Sequence, residues 1–210
     1  MGLLYCIYFA LLAFDFFASL FFLKTAVIKL LSVLLFISLI IDALAAFNNF
    51  KNFLFYALFT PVEYILVSLI LTRHLKQRTV NHLVILTIIL FTVLCFFSIR
   101  VNETDEYPSS ITSVEDLLTT IWCLVCFFYI EPLEEVSIIK RPIFWITLGF
   151  FIYNLGTIGV NAIYNTWITN QKDLATYIHK IINVSFNILL YILLAIGIIG
   201  HKWDKKYIQQ

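Results

Sequence analysis

The sequence predicts an all-α, polytopic membrane protein: one domain, residues 1–210, built as a seven-transmembrane helix bundle with its N-terminus outside and its C-terminus cytoplasmic. Three observations carry this. Of 210 residues, 61% are hydrophobic and 13% charged, and the mean hydropathy is +0.94. A soluble domain is about half apolar and about one quarter charged, so the apolar excess must face lipid. Seven runs are long enough to cross a bilayer, and the basic residues gather on one side of the membrane only if the number of crossings is odd.

A span needs about 20 mostly apolar residues. The first run, 3–23, has no Lys or Arg before Asp15. It therefore lacks the positive start of a cleaved signal peptide and is expected to stay as a helix. Cys6 stands where a myristoylation signal needs Ser or Thr. Runs 30–47 and 53–72 follow, then 83–98, the shortest. The fifth is drawn over 117–139, after an acidic stretch from Arg100 to Asp116 that reads as a loop. Run 142–164 opens on Pro142, which suits a first helical turn, with Trp145 at an interface. Gly149 and Gly156 lie two turns apart on one face and allow close helix contact. The last run, 175–200, precedes a tail whose Trp203, Tyr207 and lysines suit the headgroup zone.

Orientation follows from the enrichment of Lys and Arg in cytoplasmic loops. One side holds Lys24, Lys29, Arg73, Lys76, Arg78, Lys140, Arg141, Lys202, Lys205 and Lys206, and the other only Lys51, Arg100, Lys172 and Lys180: ten of the fourteen against four. Glu103, Asp105, Glu106, Glu115 and Asp116 then fall in an outer loop. The net charge of +1, with the basic residues scattered in short loops, argues against nucleic acid as a partner. The expected partners are the bilayer and a cytoplasmic or membrane protein reached through the basic inner loops; an oligomer is compatible with this. The abundance of Phe, Ile, Leu, Asn and Lys suggests an AT-rich bacterial genome, and so a multi-pass protein of a bacterial inner membrane.

Ionisable residues inside a bilayer are expensive, about 2.5–3.5 kcal/mol each on insertion scales, and point to function by default. Depth along each span sorts them. Near the middle lie Glu63, Asn154 and Asn187; toward the outer side Asp42, Asn161, His179, Lys180 and Asn183; toward the inner side Asp15, Glu131, Glu134 and Glu135. On the last helix His179, Asn183, Asn187 and Tyr191 recur every four residues and share one face. That face should line the interior, either as a ligand-binding or proton-relay wall or as interhelical hydrogen bonding. Asp42 and Lys180 are candidates to pair, although Lys180 could instead snorkel outward. Glu63 stands two residues after Pro61, which removes a backbone donor from its helix, and could carry a proton or hold a polar ligand. Pro61-Val-Glu63 recurs as Pro132-Leu-Glu134, and only superposition of those helices would make this a repeat.

Cys6, Cys95, Cys123 and Cys126 all fall in the outer halves of their expected spans. Cys123-Leu-Val-Cys126 has no second pair or histidine to complete a metal set, so these thiols read as small buried hydrophobes. No metal site and no cofactor is expected, and catalytic residues are not identifiable. His179 alone lies within a span, which leaves haem without a second histidine. No G-x-S-x-G, H-E-x-x-H or P-loop occurs.

Helices six and seven read Pro142-Ile-Phe-Trp145-Ile-Thr-Leu-Gly149-Phe-Phe-Ile-Tyr153-Asn154-Leu-Gly156 and His179-Lys-Ile-Ile-Asn183-Val-Ser-Phe-Asn187-Ile-Leu-Leu-Tyr191. This pairing, roughly the last third of the chain by its apolar-span pattern, resembles the seven-helix membrane modules common in Bacteroidetes, some standing alone and others preceding histidine kinase domains. The resemblance implies a sensory or signalling membrane module. No kinase or output sequence follows Gly200, so output is expected through a partner. Three functions are weighed. The first is a sensor or accessory signalling module that binds a small or lipid-like ligand or a partner within the bundle. The second is a proton- or cation-coupled transporter or channel using Asp15, Glu63 and Glu131. The third, ranked last, is an intramembrane lipid-modifying enzyme with His179 or Glu63 as base.

Overall fold

The computed structural model describes residues 2–23, 25–47, 53–73, 75, 77–101, 109–130 and 137–200. Among these residues the chain forms α1 (Gly2–Phe21), α2 (Ala26–Phe47), α3 (Phe53–Thr72), α4 (Arg78–Val101), α5 (Ser109–Tyr129), α6 (Pro142–Asn170) and α7 (Lys172–Gly200), with a 3-10 turn, Ile138–Lys140, before α6. All seven α-helices are long and apolar enough to cross a membrane. The protein is a multi-pass membrane bundle.

Local chemistry explains most boundaries. Arg141 is extended, at φ −89° and ψ 127°, and Pro142 occupies the first turn of α6, where its missing N–H is not needed. Trp145 donates its indole N–H to the Ile139 carbonyl at 2.7 Å, tying the 3-10 turn to the helix that follows it. Pro61 lies inside α3, which nevertheless continues from Phe53 to Thr72. Serine and threonine hydroxyls bond back to their own helices: Ser19 to Phe16, Thr60 to Tyr56, Thr72 to Ser68 and Thr120 to Asp116. These hydroxyls are thereby satisfied without help from another helix.

Six helices close a ring in the order α1, α2, α3, α5, α6, α7, with α1 against α7; α4 packs outside it, chiefly on α3. The outward face of α4 is correspondingly apolar and exposed at Leu83, Leu86, Leu90, Val93 and Phe97, as lipid contact requires. The tightest seam lies between α6 and α7. A Cβ on Gly149 would sit 3.1 Å from Leu190, and one on Gly197 would sit 2.8 Å from the Ile146 side chain and 3.1 Å from the Pro142 carbonyl oxygen. The close contact expected at Gly149 and Gly156 is therefore present, and Gly197 completes it from the facing helix.

The helix count agrees with the sequence, but α4 and α6 reach beyond the runs drawn for them, over Arg78–Val101 and Pro142–Asn170, and the fifth helix is displaced. The fifth helix runs Ser109–Tyr129 rather than 117–139. Glu115 and Asp116, read as loop residues, lie inside it and are only 7% and 5% exposed. The same shift carries Cys123 and Cys126 into the second half of α5, away from the end of the bundle where the sequence put them. None of the four cysteines is in a disulfide, with Cys6 exposed and Cys95, Cys123 and Cys126 buried. Helices α6 and α7 are each 29 residues long. At 1.5 Å per residue each is about 43 Å, longer than the roughly 30 Å hydrocarbon core.

Candidate functional site

Seven alternating spans bring the starts of α1, α3, α5 and α7 to one end of the bundle, called here the N-terminal side. The interior of that half is polar, in two parts joined by acids.

The first part spans α5, α6 and α7. Asp116 accepts a hydrogen bond from the Asn161 amide at 2.8 Å and one from the Thr157 hydroxyl at 3.1 Å. The Asn161 carbonyl oxygen faces His179 Nε2 at 3.1 Å. The Asn183 amide nitrogen lies 3.0 Å from the same imidazole, one turn along α7. The Tyr164 ring meets His179 at a tilt of 42°, with ring centroids 4.3 Å apart. An imidazole nitrogen that receives Asn183 leaves the ring able to donate to Asn161, so a single tautomer serves both neighbours only if different nitrogens are used. The Asn183 side-chain oxygen, Oδ1, is buried without a partner.

The second part spans α1, α2, α3 and α7. Tyr8 donates its hydroxyl to Asp42, and Tyr56 hydrogen-bonds the same carboxyl. Tyr8 in turn meets Tyr191, with ring centroids 5.5 Å apart. Nearby, Trp122 of α5 donates its indole N–H to Tyr64 of α3 at 3.0 Å, a buried cross-helix link that holds α3 and α5 in register.

Between these parts stand Glu63 of α3 and Glu115 of α5. Neither accepts a hydrogen bond from any described residue. Each acts electrostatically on the other, and both feel Asp116, with Asp42 also reaching Glu63. Glu63 lies deep in the bundle, yet part of its surface stays accessible. Charged carboxyls in such a place are costly unless donors or an opposite charge meet them.

Asp15 stands apart. On α1 the buried residues are Tyr8, Leu12, Asp15 and Ser19, one face turned toward α7. Asp15 is fully buried, and neither of its carboxyl oxygens has a partner. Tyr191 is the tyrosine within electrostatic reach of Asp15, Asp42 and Glu63 together.

The structure thus brings together Asp42, Glu63, His179, Asn183 and Tyr191 of the residues singled out from sequence, with Asn161 beside them, and leaves Asp15 apart on α1. It separates others. Asn187 donates to the Asn183 carbonyl at 2.9 Å and Asn154 to the Phe150 carbonyl at 2.7 Å, so both amides serve their own helices. The polar face of α7 divides: His179 and Asn183 turn to α6, and Tyr191 turns to α1. Asp42 is met by tyrosines rather than by Lys180, which lies beside His179 and acts on it electrostatically. Glu131, Glu134, Glu135 and Pro132 lie outside the described residues. Sequence reading missed Glu115, Asp116, Thr157, Tyr8 and Tyr56. The signal for the first two was the polar stripe Ser109, Thr112, Ser113, Asp116 and Thr120, which recurs with helical spacing.

Chemically, this interior offers carboxyls, phenols and amides. It is suited to hold a species that donates hydrogen bonds and carries positive charge. Among the described residues, no group of three or more His, Cys, Asp or Glu side chains is placed to hold a metal ion. No family model, no curated protein and no solved structure matches this chain.

Proposed function

We propose that the protein is a ligand-binding membrane module, a sensor or accessory signalling protein, whose polar interior receives a small molecule bearing a positive charge. One observation carries the reading. Glu63 and Glu115 come from different helices into one region, receive no hydrogen bond among the described residues, and have further carboxyls for neighbours. Glu115 is only 7% exposed, so most of it is withdrawn from bulk water. An organic ammonium supplies both the donors and the charge, and the surrounding tyrosine rings add cation–π attraction. The ten-to-four split of basic residues supports an N-terminal side facing outward, so the ligand would enter from outside. The basic inner loops would then offer a partner protein the surface through which a helix shift is read.

The test is thermal unfolding of the protein in lipid nanodiscs, with primary alkylammonium chlorides compared with neutral alcohols of the same size and with NaCl at equal ionic strength. Binding to the folded state alone stabilises it by about 2.7 kcal/mol when the ligand is at about 100 times its Kd. The expected result is a saturable rise with an ammonium that is lost in Glu63→Gln and Glu115→Gln. Equal response to alcohol, NaCl and ammonium would refute the proposal.

A further inference from the structure

We infer that α3 and α4 form a lever, hinged at Pro61, that carries ligand binding from the acids to the opposite side of the bundle. The inference rests on the ligand reading above and names how that site is read out. A cation that draws Glu63 toward Glu115 tilts the lower half of α3, with α4 attached, and displaces the basic segment that joins them.

Pro61 lies inside α3 and divides it. Proline donates no N–H and its ring crowds the carbonyl four residues earlier, so a helix bends there more readily than elsewhere. Just above it the Thr60 hydroxyl donates to the Tyr56 carbonyl at 2.9 Å, a bond back to the helix that also favours bending. Glu63 stands two residues below the break. Beside it, Tyr64 accepts the Trp122 indole N–H at 3.0 Å, which keeps the top of this lower segment in register with α5 while its far end tilts. Tyr64 also meets Phe91 of α4, with ring centroids 4.6 Å apart, so α4 moves with the lower half of α3. A packed protein neighbour would resist such a shift. α4 has little of one: it lies outside the ring, and its far face, with Leu83, Leu86, Leu90 and Val93, is exposed to the fluid chains of the bilayer. The other side of the seam is braced. Above Trp122, Asp116 is held by Thr157 and Asn161 of α6; below it, Cys126 Sγ lies 3.1 Å from Thr147 Oγ of the same helix. α5 is therefore the fixed side and the α3–α4 pair the moving one.

The acids supply the pull. Glu63 and Glu115 act on each other across the seam, and both feel Asp116. These three are not gathered as the ligands of a single ion, so an ammonium that donates to carboxyls on both helices must draw the helices together. The arms of the lever follow from the sequence. Pro61 is two residues from Glu63, about 3 Å of helix, and eleven from Thr72, about 16 Å. A shift of about 0.3 Å at Glu63 thus becomes about 1.6 Å at Thr72, within the roughly 1–2 Å of helix shifts in switching proteins. The half of α3 above Pro61 stays with α2, where Tyr56 neighbours Asp42. Beyond Thr72 come Arg73, Lys76 and Arg78, so the tilt relocates positive charge that a partner can sense.

The test uses the full chain in lipid nanodiscs, with Cys6→Ser to remove the exposed thiol. Nitroxide labels are placed at Arg73→Cys and Phe128→Cys, both exposed near corresponding ends of α3 and α5. The Cys6→Ser parent without added cysteines reports any labelling of the buried thiols. Pulsed electron spin resonance then gives the mean distance with propylammonium chloride, with propanol and with NaCl at equal ionic strength. The expected result is a change on the order of 1–2 Å with propylammonium alone. In Pro61→Ala the change should fall at least threefold, while the rise in unfolding temperature with propylammonium persists. Alanine is the better helix former, so this variant folds, and it leaves every acid in place. Stabilisation by propylammonium with an unchanged distance, or an equal change in Pro61→Ala, overturns the inference and leaves the ligand reading standing. Absence of any stabilisation removes the ligand reading, and the lever falls with it.

Discussion

Gly197 gives the most quantitative handle on how the bundle is held together. Replacing it with alanine places a methyl 2.8 Å from Ile146 Cγ1, 3.1 Å from the Pro142 carbonyl oxygen and 3.4 Å from the Ile146 backbone nitrogen. Carbon atoms rest at about 3.5–4.0 Å, so α6 and α7 must part by several tenths of an ångström where they pack most tightly. The obstacle is partly backbone, at the first turn of α6, and cannot swing aside as a side-chain tip could. Overpacking of this kind costs about 1–3 kcal/mol. Alanine also removes glycine's helix penalty, worth about 0.8–1.0 kcal/mol in the opposite sense. Gly159 separates the two effects, because a Cβ there meets nothing within 4 Å. Gly159→Ala should therefore be neutral or slightly stabilising, and Gly197→Ala should lie about 1–3 kcal/mol below it. Reversible unfolding in mixed detergent micelles measures both. If the two variants are equally stable, the seam is looser than described and the reasoning fails.

Three further outcomes are expected. Asn161→Ala removes the amide that Asp116 accepts and the oxygen that faces His179; at about 0.6–1.7 kcal/mol per contact in membrane bundles it should cost about 1–3 kcal/mol. A double-mutant cycle with His179→Ala should then show coupling, and strict additivity would contradict the network. Trp122→Phe loses the buried indole donor to Tyr64 and should cost about 1 kcal/mol, with Tyr64→Phe adding little on that background in the same unfolding assay. Gln171→Cys, exposed at the α6–α7 junction, should react with an impermeant maleimide from outside intact cells, and Arg73→Cys only after permeabilisation. The reverse pattern would invert the proposed topology.

The apolar helices were legible because membrane insertion depends on composition over about 20 residues. Pro142 and the glycine pair were legible because their steric demands are local. The α5 boundary was not. Glu115 and Asp116 look like loop residues in a one-dimensional reading, since the donors that accommodate Asp116, Thr157 and Asn161, lie more than forty residues further on. The apolar residues Leu133, Val136, Ile138 and Ile139 drew the expected span past the end of α5. The interior polar face of α7 was correctly placed on a helix, but its division between α6 and α1 depends on where Tyr8 and Asn161 arrive. Tyr8 itself passed unnoticed because tyrosine is ordinary at membrane interfaces, and only packing of α1 against α7 gives it a buried role.

The closure of the ring by α1 and α7 has a consequence for how the protein is made. The first helix enters the bilayer carrying Asp15 long before its partner exists. Roughly 150 residues separate the end of α1 from the start of α7, and at about 5–20 residues per second that is on the order of ten seconds of synthesis. Throughout that interval Tyr8 and Asp15 lack the surface that will enclose them. The insertion machinery, a chaperone or early pairing with α2 must shelter α1 until translation delivers α7. Assembly is therefore completed by the last helix, and truncation before it should leave α1 poorly retained in the membrane.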